Sequence, residues 1–259
     1  MAPLVTFELD GHVATITYNR PEALNAINGE LRRDLNDAFA RFRDEEDAWV
    51  AIVTGNGRAF CVGADVRGGG GNSTGEFPGT FWEKPTVNSF ESGWEIFKPV
   101  IAAVNGLCLG YGLTLVTWCD FVIASDRAEF GMPEVRLGVP TIVGAIRLPQ
   151  RLNWQYAMEI LLTGDRISAT RAHEIGLAGW VVEHDSLMEE ARSLAGRLLA
   201  AAPLAARTVK EMAVRARTLT DTEAIRFGET MRKVTGTTED AREGGRAFRE
   251  GREPEWKGR

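Results

Sequence analysis

Residues 98–120, KPVIAAVNGLCLGYGLTLVTWCD, decide the fold. Residues 100–104 form an unbroken apolar run bounded by Pro99 and by Asn105-Gly106, the pattern of a short apolar strand. Gly106, Gly110 and Gly112 follow in a tight, small-residue turn. Residues 112–119 read as a buried helix and 121–124 as the next strand. A helix connecting two strands in a compact unit implies an alternating α/β body.

The same order recurs upstream. A buried strand at 49–54 runs into Gly57-Arg58-Ala59-Phe60-Cys61-Val62-Gly63-Ala64-Asp65-Val66-Arg67, whose small residues cluster at 61–64. Further back, 4–9 and 12–18 alternate apolar and polar residues around Asp10-Gly11, which predicts a β-hairpin. Asn28 is placed to cap a helix over 29–44, in which Leu31, Leu35, Ala38, Phe39 and Phe42 recur at three- and four-residue spacing. Residues 68–80 (GGGGNSTGEFPGT) read as a mobile loop. Beyond about 185 the periodicity is helical, over 187–201, 203–216, 222–234 and 239–249. Asp185 or Ser186, Pro203, Asp221 and Thr237 or Thr238 mark the starts. The expected organisation is an α/β core over 1–185 followed by a helical region over 186–259.

Composition excludes several classes. The chain has 259 residues, 44% of them apolar and 25% charged, an ordinary globular balance. Its 30 Lys+Arg against 36 Asp+Glu leave a net charge of −6, which sets aside nucleic acid as a partner. Cys61, Cys108 and Cys119 each sit in an apolar run and read as buried thiols of a cytoplasmic protein. No CxxC occurs and His12, His173 and His184 are scattered, so no metal site is expected. No apolar run reaches the ~18 residues of a membrane helix.

Gly71-Asn72-Ser73-Thr74-Gly75 matches G-x-S-x-G in letters, but three glycines precede it and Pro78 follows, so the strand and helix of a nucleophile elbow are missing. More telling are the two turns at 57–67 and 105–112. Each follows a strand, and the second opens a helix, where backbone N–H groups lack intrahelical partners and attract negative charge. Two such turns supply two donors to one developing oxyanion, or serve only as tight packing turns; spacing alone leaves both open.

The chain resembles the crotonase family, the enoyl-CoA hydratase/isomerase superfamily. The matching stretches are NRPEALNAI (19–27), GRAFCVGADV (57–66), KPVIAAVNGLCLGYG (98–112), CDFVIAS (119–125), FGMPEVRLGV (130–139), LTGDRISATRAHEIGLAGWVV (162–182) and the closing REGGRAFREGREPEWKG. The resemblance implies a spiral of β-β-α units with a helical C-terminal trimerisation region, assembled as a homotrimer or a dimer of trimers. It implies an acyl-CoA thioester substrate, with coenzyme A as part of that substrate and no further cofactor. The thioester oxygen would lie between the backbone N–H groups of Ala64 and Tyr111. Ala64, Asp65, Val66, Arg67, Tyr111 and Thr114 would line the substrate, with Arg58 or Arg67 near the CoA phosphates.

Two departures from the family pattern sharpen this. Hydratases of the family carry two glutamates at the site. Here the first position is Thr114 and the second, Glu134, is retained. The family glycine at the oxyanion turn is Tyr111, whose side chain would shape or narrow the acyl pocket and would be costly if the turn required a positive φ. Hydration needs a base for water and an acid for the α-carbon, and a threonine hydroxyl is not a base near neutral pH. Moving a double bond needs one group that takes a proton from one carbon and returns it to another, and Glu134 alone suffices. A second acid from Glu76, Glu83 or Glu91, a non-catalytic acyl-CoA binder, and a different reaction on the acyl-CoA are the competing expectations.

Overall fold

A computed structural model describes residues 3–66 and 95–259. The chain opens with β1 (Val5–Asp10) and β2 (Val13–Tyr18), paired antiparallel as the alternation predicts. Helix α1 (Gly29–Asp44) follows. Asn28 caps it, its side chain accepting from Leu31 N–H at 2.8 Å. The five apolar residues expected to face inward are all buried. At the other end of α1 the buried Lys98 ammonium donates to the carbonyls of Phe42 at 2.7 Å and Glu45 at 2.5 Å. Burial lowers that ammonium's pKa to about 8.

Three strand pairs then repeat. They are β3 (Val50–Gly55) with β4 (Ala59–Cys61), β5 (Val100–Val104) with β6 (Leu107–Leu109), and β7 (Phe121–Ser125) with β8 (Glu129–Gly131). The first member of each pair joins one sheet and the second joins another, so the chain spirals between two layers. Helix α2 (Tyr111–Val116) lies between the second and third pairs. After β8 come a 3₁₀ turn (Pro133–Leu137), α3 (Val143–Arg151), α4 (Trp154–Thr163), β9 (Arg166–Ser168), α5 (Ala169–Glu174) and β10 (Trp180–Val182). The larger sheet has the order β1-β2-β3-β5-β7-β10 and is parallel apart from the opening hairpin. The smaller has the order β4-β6-β8-β9, antiparallel only between β8 and β9. The β-β-α spiral expected from the resemblance is thus the observed fold.

The larger sheet is covered on both faces. Along β5, Val100, Ala102 and Val104 face the core that holds α1, while Ile101 and Ala103 face the opposite layer. That layer is α6 (Leu187–Leu199), whose Leu187, Ala191, Leu194 and Ala195 pack on Val50, Ile52, Ile101, Ala103 and Ile123. Helices α7 (Pro203–Arg215), α8 (Asp221–Thr235) and α9 (Glu239–Glu250) complete the chain. Pro203 opens α7, a reciprocal capping box between Thr220 and Glu223 starts α8, and Thr238 caps α9. Ser186 stands at the N-cap of α6 without a side-chain cap bond. The Gly-rich loop at 68–80 lies outside the described residues, as do Arg67, Glu76, Glu83 and Glu91. Among the described residues no helix is long and apolar enough to cross a membrane.

The two sheets meet where α2 packs on β4. A Cβ at Gly112 would collide with the carbonyl oxygen of Cys61 and approach its side chain to 2.9 Å. Gly112→Ala is therefore expected to cost about 2 kcal/mol or more, read as a lowered urea midpoint. The same change at Gly196, an exposed site in α6 with nothing within 4 Å of the new Cβ, is expected to gain about 0.5–1 kcal/mol. Equal effects at the two sites would contradict the close approach.

Candidate active site

Ala64 follows β4 and forms an isolated parallel bridge with Ile27. Ile27 N–H donates to Gly63 O at 2.8 Å, and Asp65 N–H donates to Ile27 O at 2.9 Å. In a parallel pairing, a residue that bonds both neighbours of the residue opposite leaves that residue's own N–H and C=O directed away. The Ala64 N–H therefore faces away from Ile27, and Ala64 is exposed.

The second turn lies against the first. A Cβ built on Gly63 would stand 3.5 Å from Tyr111 N and 3.6 Å from Gly110 Cα. Tyr111 is the first residue of α2, at the end of the helix where N–H groups have no carbonyl of their own helix to meet. The backbone departs into positive φ at Gly110 (φ 52°, ψ −117°) and not at Tyr111. Glycine thus occupies the one strained position, and tyrosine sits beside it without backbone cost. The Tyr111 ring is half-buried against the core, with the Arg32 guanidinium 5.1 Å from its centroid.

Glu134 reaches the same place from β8. Gly110 N–H donates to Gly131 O at 2.9 Å, which ties the end of β8 to the turn before α2. Three residues on, a Cβ at Gly110 would lie 2.8 Å from Glu134 Oε1. Gly110 is therefore needed for its conformation and for the room it leaves the carboxyl group. Glu134 is half-buried, and its Oε2 is a buried atom without a hydrogen-bond partner among the described residues. Burial raises the Glu134 carboxyl above the ordinary Glu range, opposed in part by its own backbone N–H. Arg136 offers no compensation, because its guanidinium turns to Asp165 at 2.5 Å and to Thr163 O at 2.7 Å.

Thr114 is buried on α2, one turn beyond Gly110, to whose carbonyl its N–H donates at 2.9 Å. Val66 and Arg58 are exposed. The Asp65 carboxylate is held by Arg20 at 2.6 Å, a pairing that the sequence reading did not foresee. Val135, Leu137, Val139 and Ile142, which follow Glu134 in the chain, are exposed. Cys61 and Cys119 are buried, and desolvation pushes both thiols up to about 12, so they stay protonated. Among the described residues no His, Cys, Asp and Glu cluster could hold a metal ion.

The model of the enoyl-CoA hydratase/isomerase family matches residues 8–259. A probable enoyl-CoA hydratase of Rhizobium meliloti is 38% identical over 257 residues, 97% of each chain. A carnitinyl-CoA dehydratase of Proteus mirabilis is 38% identical over 258 residues, 96% of each chain. The crystal structure of an enoyl-CoA hydratase from Mycobacterium tuberculosis superposes with a TM-score of 0.89 at 35% identity, covering 99% of this chain and all of that one.

The raised carboxyl has a consequence for stability. Between the ordinary and the raised pKa of Glu134, the folded chain keeps a proton that the unfolded chain has released, so stability falls as pH rises through that window. The neutral isostere in Glu134→Gln removes that cost. The variant is expected to melt above the wild type at pH 7, with the gap closing below about pH 4. A gap of opposite sign, or one independent of pH, would contradict the raised Glu134 carboxyl.

Proposed function

The chain belongs to the enoyl-CoA hydratase/isomerase family and is an acyl-CoA enzyme of that family, and on that premise we propose that it acts through a thioester enolate with Glu134 as the single acid/base. The observation that carries this reading is the Glu134 carboxyl lying over Gly110, one residue from Tyr111 N, with a buried oxygen that has no partner among the described residues.

In this reading the thioester oxygen accepts from the N–H groups of Ala64 and Tyr111. Glu134 removes a proton from C2 of a 3-enoyl-CoA, and the C–H electron pair moves into the carbonyl to give the enolate. The two N–H groups stabilise the negative charge as it forms, which is where preorganised donors contribute most. The carbonyl then re-forms, the C1–C2 electron pair of the dienolate shifts to make the C2–C3 double bond, and the former C3–C4 π pair takes the proton back from Glu134 at C4. One carboxyl group completes the cycle, and burial gives it a proton affinity suited to both halves. Thr114 packs the wall of the site and leaves no second carboxylate on α2. The exposed apolar residues Val135, Leu137, Val139 and Ile142, close to Glu134 in the chain, are proposed to meet the acyl chain. Coenzyme A enters as part of the substrate, and the chemistry needs no other cofactor. Asp65 and Val66 are proposed to lie along the substrate beside Ala64.

Hydration or dehydration is the second reading, favoured by the names of the relatives. It requires another acid or base beside Glu134. Assay of trans-2-enoyl-CoA and 3-enoyl-CoA side by side separates the two. Isomerisation is expected to dominate, and Glu134→Gln to cut its kcat by about 10²–10⁴-fold with binding retained. Rapid hydration undiminished in Glu134→Gln would overturn the assignment. Binding without turnover of either substrate would mark a non-catalytic binder.

Exposed Val209 and Val214 on α7, with Ile225 and Val234 on α8, support self-association through this helical region. Light scattering is expected to return three or six times the 28.4 kDa of one chain. A monomer would contradict it.

A further inference from the structure

Ala64 lies outside every regular strand, so something other than a sheet must hold its N–H in place. The bridge to Ile27 is the immediate support, but residues 26–27 also belong to an irregular segment. That segment is locked by two side chains of the Asn19–Ile27 motif.

The first is Asn25, fully buried and with a φ of 57° that follows a φ of 53° at Leu24. Two consecutive left-handed residues that are not glycine are a strained conformation, and they persist only when their surroundings over-determine them. Here Asn25 Oδ1 accepts from Arg20 N–H at 2.9 Å, and its Nδ2 donates to Asn56 O at 3.0 Å and Ala59 O at 2.8 Å. The segment is thereby fastened to the strand that leads into Ala64.

The second is Arg20. A single guanidinium nitrogen, Nη1, donates to Ala26 O at 3.0 Å and to Asp65 Oδ2 at 2.6 Å. Ala26 precedes the bridge residue on one side and Asp65 follows it on the other. Arg20 therefore clasps both edges of the Ile27–Ala64 bridge across one atom. The pair is mostly withdrawn from water, with side-chain exposures of 20% for Arg20 and 11% for Asp65, so screening by solvent and salt is reduced. By contrast the second ion pair of Arg20, with Glu22 at 3.9 Å, is open to solvent at 74% on the glutamate and adds little.

We propose that Arg20 and Asp65 are positioning residues that aim the Ala64 N–H at the substrate's thioester oxygen. The proposal rests on the reading of Ala64 as an oxyanion donor and goes beyond it, assigning to Arg20–Asp65 the alignment on which that donor's strength depends. Neither side chain acts on the reacting atoms. Loosening the clasp lets the 63–65 turn relax by a fraction of an ångström, enough to weaken a donor whose value depends on geometry.

The test uses the whole enzyme with cinnamoyl-CoA, whose conjugated thioester absorbs at longer wavelength when its carbonyl is polarised. Wild type is expected to red-shift the bound chromophore. Asp65→Asn and Arg20→Gln are expected to lose most of that shift and to lower kcat by about 10- to 100-fold, with KM within about threefold. Arg20→Lys, which keeps the charge and one donor, is expected to recover part of both and guards against variants that do not fold. The double variant Arg20→Gln/Asp65→Asn is expected to be no worse than either single one. Glu22→Gln, which removes only the exposed partner, is expected to match wild type. A full red shift and undiminished kcat in folded Asp65→Asn or Arg20→Gln would overturn the positioning role while leaving Ala64 as donor. The absence of a red shift in the wild type would overturn the donor reading itself.

Discussion

The close contact of two backbone turns, 61–66 and 107–112, is the constraint on which the rest of this molecule depends. Gly112 lies against the Cys61 carbonyl, Gly63 lies against Gly110 and Tyr111, and Gly110 lies against the Glu134 carboxyl group. At none of these three positions is there room for an unstrained side chain. The approach brings two strand ends from one sheet, the N-terminus of α2 and the turn after β8 to one place. The two-layer spiral supplies the rigidity, because each turn is the corner at which the chain passes out of one layer. Packing on both faces of the larger sheet then holds those corners from behind.

Within that frame the electrostatics oppose stability and favour chemistry. Glu134 is half-buried and, among the described residues, has no ion-pair partner, since Arg136 is committed to Asp165. A carboxylate so placed costs folding free energy and gains proton affinity in return, the trade expected where function and stability compete. The opposite design appears a few residues from Ala64, where the Asp65 charge is fully matched by Arg20. One carboxylate is kept responsive and the other is kept fixed.

Much of the scaffold was legible in the sequence because its signals are local. The Asp10-Gly11 turn, the Asn28 cap, the apolar stripe of α1 and the all-apolar β5 each follow from periodicity or turn chemistry read over a few residues. The smaller sheet was not legible, since its strands β4, β6, β8 and β9 are three residues each, too short for alternation to show. They exist because the larger sheet delivers them side by side. At the site, Ala64, Tyr111 and Glu134 were named through the family motifs, and the structure sets Gly63 beside Tyr111 N and Gly110 beside the Glu134 carboxyl group. The cost feared for Tyr111 does not arise, because the positive φ falls one residue earlier. The clasp formed by Arg20, Asn25 and Asp65 was missed. It joins residues 45 apart in sequence, and its only local hint is an asparagine, a residue that tolerates the left-handed region.

The site stands or falls on one oxygen atom meeting two backbone donors beside one carboxyl group. A crystal structure with an unreactive saturated acyl-CoA such as butyryl-CoA tests this directly. The account predicts the thioester oxygen at about 2.7–3.1 Å from both Ala64 N and Tyr111 N, with the Glu134 carboxyl group against C2 to C4 of the acyl chain. A thioester oxygen bound elsewhere, or an acyl chain whose C2 is out of reach of Glu134, would contradict it.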